Sequence, residues 1–499
     1  MTLQELIEGG PGGRIVAAPS HAAAEAGATA ITSIVHRADD AGPGALFCAL
    51  RGARADGHDF APEAVARGAA ALMVERELDL PVPQAVVPDV RLGMSLAAAA
   101  LAGHPSRDLM VVGVTGTNGK TTSTFLVRAI LEAAGLPCGL VGTIEARVGG
   151  AAVPLRHTTP DAIQLQELFA RMRDAGDRAC AMEVSSHALA QRRTAGTRFA
   201  AALFTNLTRD HLDYHEGVEE YYLAKRALFL RPEAEGDDPP GAANLDDELG
   251  RRLAREAGAL GYAVDAPAPV RPVDARGLGT GIAARIATPR GTVEVESRLR
   301  GRFNLANIAG AVAVGELLEL PHEAVAAGIA SLPGVPGRFE AVDGGQPFHV
   351  IVDYAHTPDS LENVLRTARE LAGEGRLICV FGCGGDRDRG KRPQMGAAVA
   401  ALADVAVVTS DNPRSEEPEA IIAEILAGMA DGAARTVVEP DRRAAIAWAA
   451  GESAPGDVVV IAGKGHEQGQ ERKGVVTPFD DRVVAREEIG GVVGGGAGA

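Results

Sequence analysis

Cysteine is scarce in this sequence: 499 residues hold five, at positions 48, 138, 180, 379 and 383. So small and odd a number argues against the disulfide framework of a stapled extracellular fold. Cys48, Cys180 and Cys379 lie in apolar runs (LFCAL, RACAME, RLICVFGC) that suit buried, reduced thiols. Cys379 and Cys383 are four apart, with no second pair to complete a zinc site. The opening residues MTLQELIEGGPGGR lack the basic flank and apolar core of a signal peptide. Long apolar runs are missing too; segments such as MSLAAAALAGH are alanine-rich and short of a membrane span. The expectation is a cytoplasmic protein with no membrane span. Positive charge is in deficit, 49 Lys and Arg against 66 Asp and Glu, for a formal net charge of −17. Nucleic acid is therefore not an expected partner, because its backbone needs clustered positive charge. Small anions remain open, through local Arg and Lys clusters or helix N-termini.

Hydrophobic residues make up 46% and charged residues 23%, an ordinary soluble composition. The length exceeds one core and suggests three domains of about 100–200 residues each. Strand-like and helix-like pieces (ALFCAL, HDFAPEAVARGAAALMVE, AVVPDV) fill the first hundred residues, and GHPSRD breaks the chain before the β run LMVVGVTG. Apolar runs (CGLVGTI, ACAMEVS, AALFTNL) then alternate with helical stretches, the pattern of a parallel sheet with crossover helices. A polar, Gly/Pro-rich insertion runs from RPEAEGDDPPGAA to near Arg290, and SLPGVPGRFE forms a later hinge. The last third alternates again through FHVIVDYA, RLICVFGCGG, VAVVTSDNP and VVVIAGKGHE. This predicts an α/β protein of three domains: an N-terminal α/β domain at 1–107, a central P-loop ATPase-like domain with a mainly parallel sheet at 108–335, and a C-terminal Rossmann-like, doubly wound domain at 336–490. A disordered tail is expected at 491–499.

The stretch VVGVTGTNGKTT, Val111 to Thr122, sits at a strand–helix junction and nearly fits the Walker pattern. Its first glycine is displaced: Val114 stands where the strict form has Gly, with glycines at 113 and 116. Backbone N–H groups and a helix N-terminus there hold phosphates, Lys120 neutralises the transferring phosphoryl, and Thr121 suits magnesium. Asp210, His211, Asp213 and His215 follow one strand, and Glu183 ends another. Such groups place a divalent ion against phosphates. A water-activating metallohydrolase is the rival reading, and His-x-His or His-Glu-x-x-His spacing is absent. Lys225, on the helical run EEYYLAKRALF, reads from periodicity as a solvated lysine. In the last domain CGGDRDRGKRP gathers Arg387, Arg389, Lys391 and Arg392 as an anion grip, SDNPR presents Arg414, and GKGHEQ presents Lys464, His466 and Glu467. Arg suits a substrate carboxylate and Glu467 an ammonium. The residues together predict a nucleotide-dependent, metal-assisted enzyme with a zwitterionic acceptor.

The motifs GVTGTNGKTT, TTPD, MEVSSHAL, FTNLTRDHLDYH, YYLAKRALF, RFNLAN, PGRFE, DYAHTPDSL, GCGGDRDRGKRP, DNPR and GKGHE occur in one order over nearly the whole chain. In this the sequence resembles the Mur ligases, and among them those that add the third peptide residue of a UDP-sugar precursor. The resemblance implies that ATP phosphorylates the D-glutamyl γ-carboxylate of UDP-MurNAc-L-Ala-D-Glu, and that an acceptor amine attacks the acyl phosphate to form an amide. It implies ATP contacts by Gly116, Thr117, Asn118, Gly119, Lys120, Thr121, Thr122, Asn304, Arg338, Asp353 and His356. Magnesium would be held by Thr121, Glu183, His211 and Lys225, with Lys225 carbamylated into a carboxylate-like ligand. Lys120, Lys225 and His211 would be catalytic. The UDP-sugar dipeptide would meet Ala53, Arg54 and Ala55 in the N-terminal UDP-binding domain and Thr158, Thr159, Ser185, Gln191 and Arg193 in the central one. Where the family often has Asp-Ser-Arg before a Pro-Gly turn, this chain has Arg37-Ala38-Asp39, so the serine contact to uridine is not carried over.

Asp411, Asn412, Pro413 and Arg414, with Arg387, Gly463 and Glu467, match the acceptor pocket of members that use meso-diaminopimelate. That acceptor ends in a carboxylate as well as an ammonium, and lysine would leave Arg414 unpaired at a cost of about 1–3 kcal/mol. A lysine-adding ligase keeps everything except this logic. A folylpolyglutamate synthetase is not expected to carry DNPR. A non-catalytic ATP-binding sensor or scaffold predicts a broken metal cluster or the loss of Lys120 or Lys225, and all are present. A monomer acting on small molecules is expected, with hinges near residues 107 and 335 closing around them.

Overall fold

The computed structural model describes all residues except 9–11, 18–22, 53–54, 212–213, 233–234, 279–280, 431 and 497–499. Three main sheets follow one another along the chain. The first has the order Arg14–Val16, Gln84–Val86, Ala71–Val74, Ala45–Cys48, Ser33–Val35, parallel except for its first pair. The second has eight strands in the order Leu260–Tyr262, Gly241–Asn244, Ala201–Phe204, Met110–Thr115, Ala179–Glu183, Cys138–Val141, Ala146–Val148, Ala151–Val153. Its first six strands are parallel. The runs VVGV, ACAME and AALF are buried on both faces, as parallel strands covered by crossover helices must be. Lys120–Ala133 and Arg302–Leu317 cover one face, and Ala162–Asp174 the other.

The third sheet has the order Glu340–Ala341, His349–Asp353, Val458–Ala462, Leu377–Phe381, Val405–Val408, Arg435–Val438, parallel beyond its short first strand. Chain order doubles back within both large sheets, so crevices open at the carboxyl ends of their strands.

The region read as an insertion carries more structure than its composition suggests. Gly241–Asn244 and Leu260–Tyr262 complete the central sheet, while Arg271–Arg276, Ile282–Thr288 and Gly291–Ser297 form a three-stranded antiparallel sheet. Ile282, Ala284, Ile286, Val293 and Val295 alternate inward onto the central core, the period of a half-buried strand. The tail differs as well: the last helix runs Asp481–Gly496, through residues 491–496 that composition assigns to disorder. Val484, Ala485 and Ile489 anchor its first turns in the core. All five cysteines are buried and unpaired. Among the described residues no helix is long and apolar enough to cross a membrane.

Candidate active site

The strand Met110–Thr115 ends between Ala179–Glu183 and Ala201–Phe204, and its turn opens the helix Lys120–Ala133. Val114 is a buried strand residue, which is why the first loop glycine falls at 116. A Cβ on Gly116 (φ +150) would stand 1.9 Å from Thr205 Oγ1, and one on Gly119 (φ +83) 2.4 Å from Asn307 Oδ1. Glycine alone suits both positions. The neighbouring strand end fixes the loop: Thr117 N donates to Asn206 O (2.8 Å), Asn118 N to Asn206 Oδ1 (2.9 Å), and Thr205 Oγ1 to Asn118 O (2.6 Å).

Lys120 Nζ folds onto the loop, donating to Gly116 O (2.9 Å) and Thr117 O (2.8 Å). Lys225 is no solvated lysine. Its side chain is buried, donates to Gly116 O at 2.8 Å and lies 4.5 Å from the Tyr221 ring centroid. Burial pushes the pKa of Lys120 down, and that of Lys225 far down, where the charge of Lys120 adds to the effect.

Thr121, Glu183, His211 and Lys225 line one cavity together with Thr117–Thr122. Thr121 Oγ1 accepts from Arg338 Nη2 (2.9 Å). Glu183 accepts from Thr143 N (2.8 Å) and Thr143 Oγ1 (3.0 Å). Thr143 has no motif around it and was missed in the sequence. His211 Nε2 lies 3.6 Å from Asp210 Oδ2, and burial holds its imidazole well below its usual value. His215 bonds Ser186 Oγ at 3.0 Å and packs on Tyr221, outside the cavity lining; Asp213 lies outside the described residues. Among the described residues no three His, Cys, Asp or Glu side chains form a preassembled metal cage. Thr121 and Glu183 nevertheless bring hydroxyl and carboxylate oxygens to the cavity that Lys120 lines, a donor chemistry that fits Mg2+.

From the last third of the chain come Arg338, Asp353 and His356. Arg338 stacks on Tyr354, 4.4 Å from its ring centroid. Asp353 accepts from Phe339 N (2.6 Å) and Ala355 N (2.7 Å), and burial pushes it up to about 6. His356 Nδ1 donates to Tyr354 O (2.7 Å), and burial pushes it down to about 4. Asn304 does not reach the cavity; it is buried, and its Oδ1 accepts from Asn307 Nδ2 (3.0 Å), while Asn307 lines the wall. Three further contacts tie the two large sheets' loops: Asn118 Nδ2 to Asp359 Oδ2 (2.8 Å), Arg209 Nε to Asp388 Oδ2 (3.6 Å) and His356 Nε2 to Asp210 Oδ2 (4.0 Å).

Thr158 and Ser185 line the same cavity, while Thr159, Gln191 and Arg193 are bonded to one another and to Ser185 outside its lining. Thr158 Oγ1 pairs with Thr143 Oγ1 (3.1 Å), Ser185 N donates to Thr159 Oγ1 (3.1 Å), and Arg193 reaches Thr159 O (2.8 Å) and Gln191 Oε1 (2.7 Å). Ala53 and Arg54 lie outside the described residues; the carbonyl of Ala55 accepts from Gly52 N (2.9 Å).

A second cavity is lined by Arg387, Asp411, Asn412, Arg414, Gly463 and Glu467. Arg414 has φ +51. Its N donates to Glu471 O (3.1 Å) and its carbonyl accepts from Lys473 N (2.6 Å), so the hairpin Gly469–Pro478 mounts it. Its Nη1 donates to Gly385 O (2.7 Å) and its Nε lies 3.5 Å from Glu471 Oε2. Buried Lys464 donates to Asn412 Oδ1 (3.1 Å) and Glu467 Oε2 (3.0 Å), fixing the pocket floor. Beneath it, Arg442 pairs bidentately with Asp481 (2.8 and 2.6 Å) and donates to Ser410 O (3.3 Å) and Ala462 O (2.9 Å), clamping two strand ends. The anion grip read from CGGDRDRGKRP holds only in part. Arg389 pairs with Glu424, and Arg392 with Glu416 and Glu424, outside the cavity; Arg387 and Lys391 line it.

The sequence matches the Mur ligase family, catalytic domain over residues 30–104, the Mur ligase middle domain over 114–315 and the Mur ligase, glutamate ligase domain over 337–465. It is 46% identical over 484 residues to a UDP-N-acetylmuramoyl-L-alanyl-D-glutamate--2,6-diaminopimelate ligase of Streptomyces coelicolor, covering 94% of each chain. It is 49% identical over 452 residues to a ligase of the same name from Gloeobacter violaceus, covering 90% of this chain and 91% of that one. A solved structure of a ligase with that name is 32% identical, covers 98% of both chains and superposes with a TM-score of 0.68.

Proposed function

The chain belongs to the Mur ligase family, and from that premise we propose that it is an ATP-dependent ligase of peptidoglycan precursor synthesis, joining meso-diaminopimelate to the D-glutamyl γ-carboxylate of UDP-MurNAc-L-Ala-D-Glu. One observation carries the reading. The phosphate-loop cavity and the DNPR cavity share Asp210, His211, Tyr354 and His356 as common walls, so an activated carboxyl group in one meets an amine in the other.

Gly116–Thr122 and the helix N-terminus hold the ATP phosphates, and Lys120 exchanges its two carbonyl acceptors for phosphate oxygens. Arg338 adds charge from the opposite side. Thr121 and Glu183, joined by His211 and a carbamylated Lys225, would hold Mg2+, which when bound would neutralise charge on the phosphates. Thr158, Thr159, Ser185, Gln191 and Arg193 position the dipeptide so that its γ-carboxylate faces the terminal phosphoryl. Arg414 takes the far carboxylate of the acceptor: among the described residues nothing bonds its Nη2. Glu467 takes the far ammonium and Arg387 the near carboxylate. The three sheets correspond in this reading to domains at 1–107, 108–335 and 336–490 that hinge near 107 and 335, in a cytoplasmic monomer.

The test is phosphate release with ATP, Mg2+ and UDP-MurNAc-L-Ala-D-Glu, comparing meso-diaminopimelate with L-lysine in wild type and Arg414→Ala. A preference for diaminopimelate that the variant loses supports the assignment. Equal use of lysine leaves a ligase with another acceptor, and no acceptor-dependent turnover removes the ligase reading.

A further inference from the structure

Lys391 opens the helix Lys391–Leu402 and is 7% exposed. A lysine is an unfavourable choice there, because the N-terminal end of a helix is already positive and the first turn of this one holds no acid. The adjacent Arg392 is neutralised by Glu416 and Glu424. Lys391 is not: among the described residues no side chain or carbonyl bonds its ammonium, and no carboxylate lies within ion-pair distance of it. Nearby Cys383 offers no thiolate, since burial pushes its thiol up to about 12. An ammonium on a buried side chain, facing a cavity with no counter-charge in contact, is costly, so the fold keeps it for a charge that arrives with a ligand.

Its position says which charge. Lys391 lines the acceptor cavity beside Cys383, Gly384 and Asp411, together with Asp210 and His356, the walls that this cavity shares with the phosphate-loop cavity. It therefore stands at the seam between the two, whereas Arg414 and Glu467 bind at the acceptor's far end. Resting on the ligase reading above, we propose that Lys391 is a catalytic residue of the amide-forming step, holding the negative charge that develops on the acyl carbonyl oxygen as the amine attacks. The amine lone pair forms the C–N bond while the carbonyl π pair moves onto oxygen beside Lys391 Nζ. That pair returns as the C–O bond to phosphorus breaks, and the amine proton leaves on the departing phosphate as hydrogen phosphate. Lys391 gives up no proton; a fixed cation at a developing oxyanion is worth most where water is excluded.

The two half-reactions separate this role from a structural one. In Lys391→Met, positional isotope exchange in γ-phosphoryl-labelled ATP with UDP-MurNAc-L-Ala-D-Glu and no acceptor, which reports reversible acyl phosphate formation, stays within about threefold of wild type. Acceptor-dependent phosphate release falls about 100-fold in kcat with the acceptor KM little changed. Lys391→Arg, which keeps the charge, recovers at least about a tenth of the rate. Lys391→Gln gives the same split if the Met variant does not fold. Parallel loss of both half-reactions, or a raised acceptor KM at unchanged kcat, overturns the proposal. No isotope exchange in wild type overturns the ligase reading beneath it instead.

Discussion

Lys120 and Lys225 donate to a single acceptor, the carbonyl oxygen of Gly116, at 2.9 and 2.8 Å. Burial, and after it the positive charge of Lys120, push the pKa of Lys225 far down and so favour its neutral amine. A neutral amine is the form that adds CO2. Intact-protein mass spectrometry under native, bicarbonate-containing conditions should show a gain of one CO2 that is absent in Lys225→Arg. That variant should lose about 100-fold or more in kcat. A wild-type mass without the adduct, at full activity, rules the carbamate out.

Removing Lys120 has a different signature. Lys120→Ala deletes a half-buried ammonium whose only acceptors among the described residues are loop carbonyls, so the thermal midpoint should hold while kcat falls about 10²–10³-fold. A large drop in midpoint would make Lys120 a structural residue of the loop.

Arg338 joins the two large sheets through Thr121 Oγ1 and stacks on Tyr354. Arg338→Lys loses the fork and most of the stacking, about 1–2 kcal/mol, and should raise the KM for ATP about tenfold. Small-angle scattering of Arg338→Ala combined with Asp359→Ala should report a larger radius of gyration than wild type. An unchanged radius would mean these contacts do not hold the two parts together.

Acid should destabilise the protein through its buried imidazoles. His356 sits at about 4 and His466 at about 3, both because of burial, against a usual 6.5. The unfolded chain takes up these protons first, so stability that is complete above 6.5 is lost as pH falls toward about 4. Asp353, raised to about 6, runs the other way over about the same window and offsets part of the loss. The thermal midpoint should be lower near about pH 5 than near about pH 7, and His356→Gln with His466→Gln should flatten the slope. A profile unchanged by the pair would place the acid sensitivity elsewhere.

Arg442 and Asp481 are both fully buried. Asp481→Asn leaves the guanidinium without its counter-charge and should cost about 3–5 kcal/mol in denaturant unfolding, whereas an apolar double replacement should cost less. Equal costs would show that the strand-end carbonyls alone hold Arg442.

Much of the architecture was legible because parallel strands write themselves as continuous apolar runs and their ligand loops follow directly. VVGVTGTNGKTT and VAVVTSDNPR carry strand and site in one stretch. What stayed hidden has no local signature. The burial of Lys225 on an amphipathic helix depends on Gly116, 109 residues away. Thr143 matters through Glu183 and Thr158, and Arg442 through Asp481 and two strand-end carbonyls, all distant in sequence. Arg389 and Arg392 look like partners of Lys391 until Glu424, on the helix Pro418–Leu426, and Glu416, in the loop before it, take them up. The strand Gly241–Asn244, reading GAAN, has none of the β-branched residues that announce a strand.

The hairpin Gly469–Pro478 holds Arg414 by main-chain bonds on both sides, and its outer residues Val475 and Val476 stand in solvent. Recognition of the acceptor's second carboxylate is thus mounted on register rather than on side-chain identity. Substitutions along the hairpin's outer edge should drift freely among relatives, while a single-residue deletion within it would turn Arg414 away from the pocket without touching any of the residues that line it.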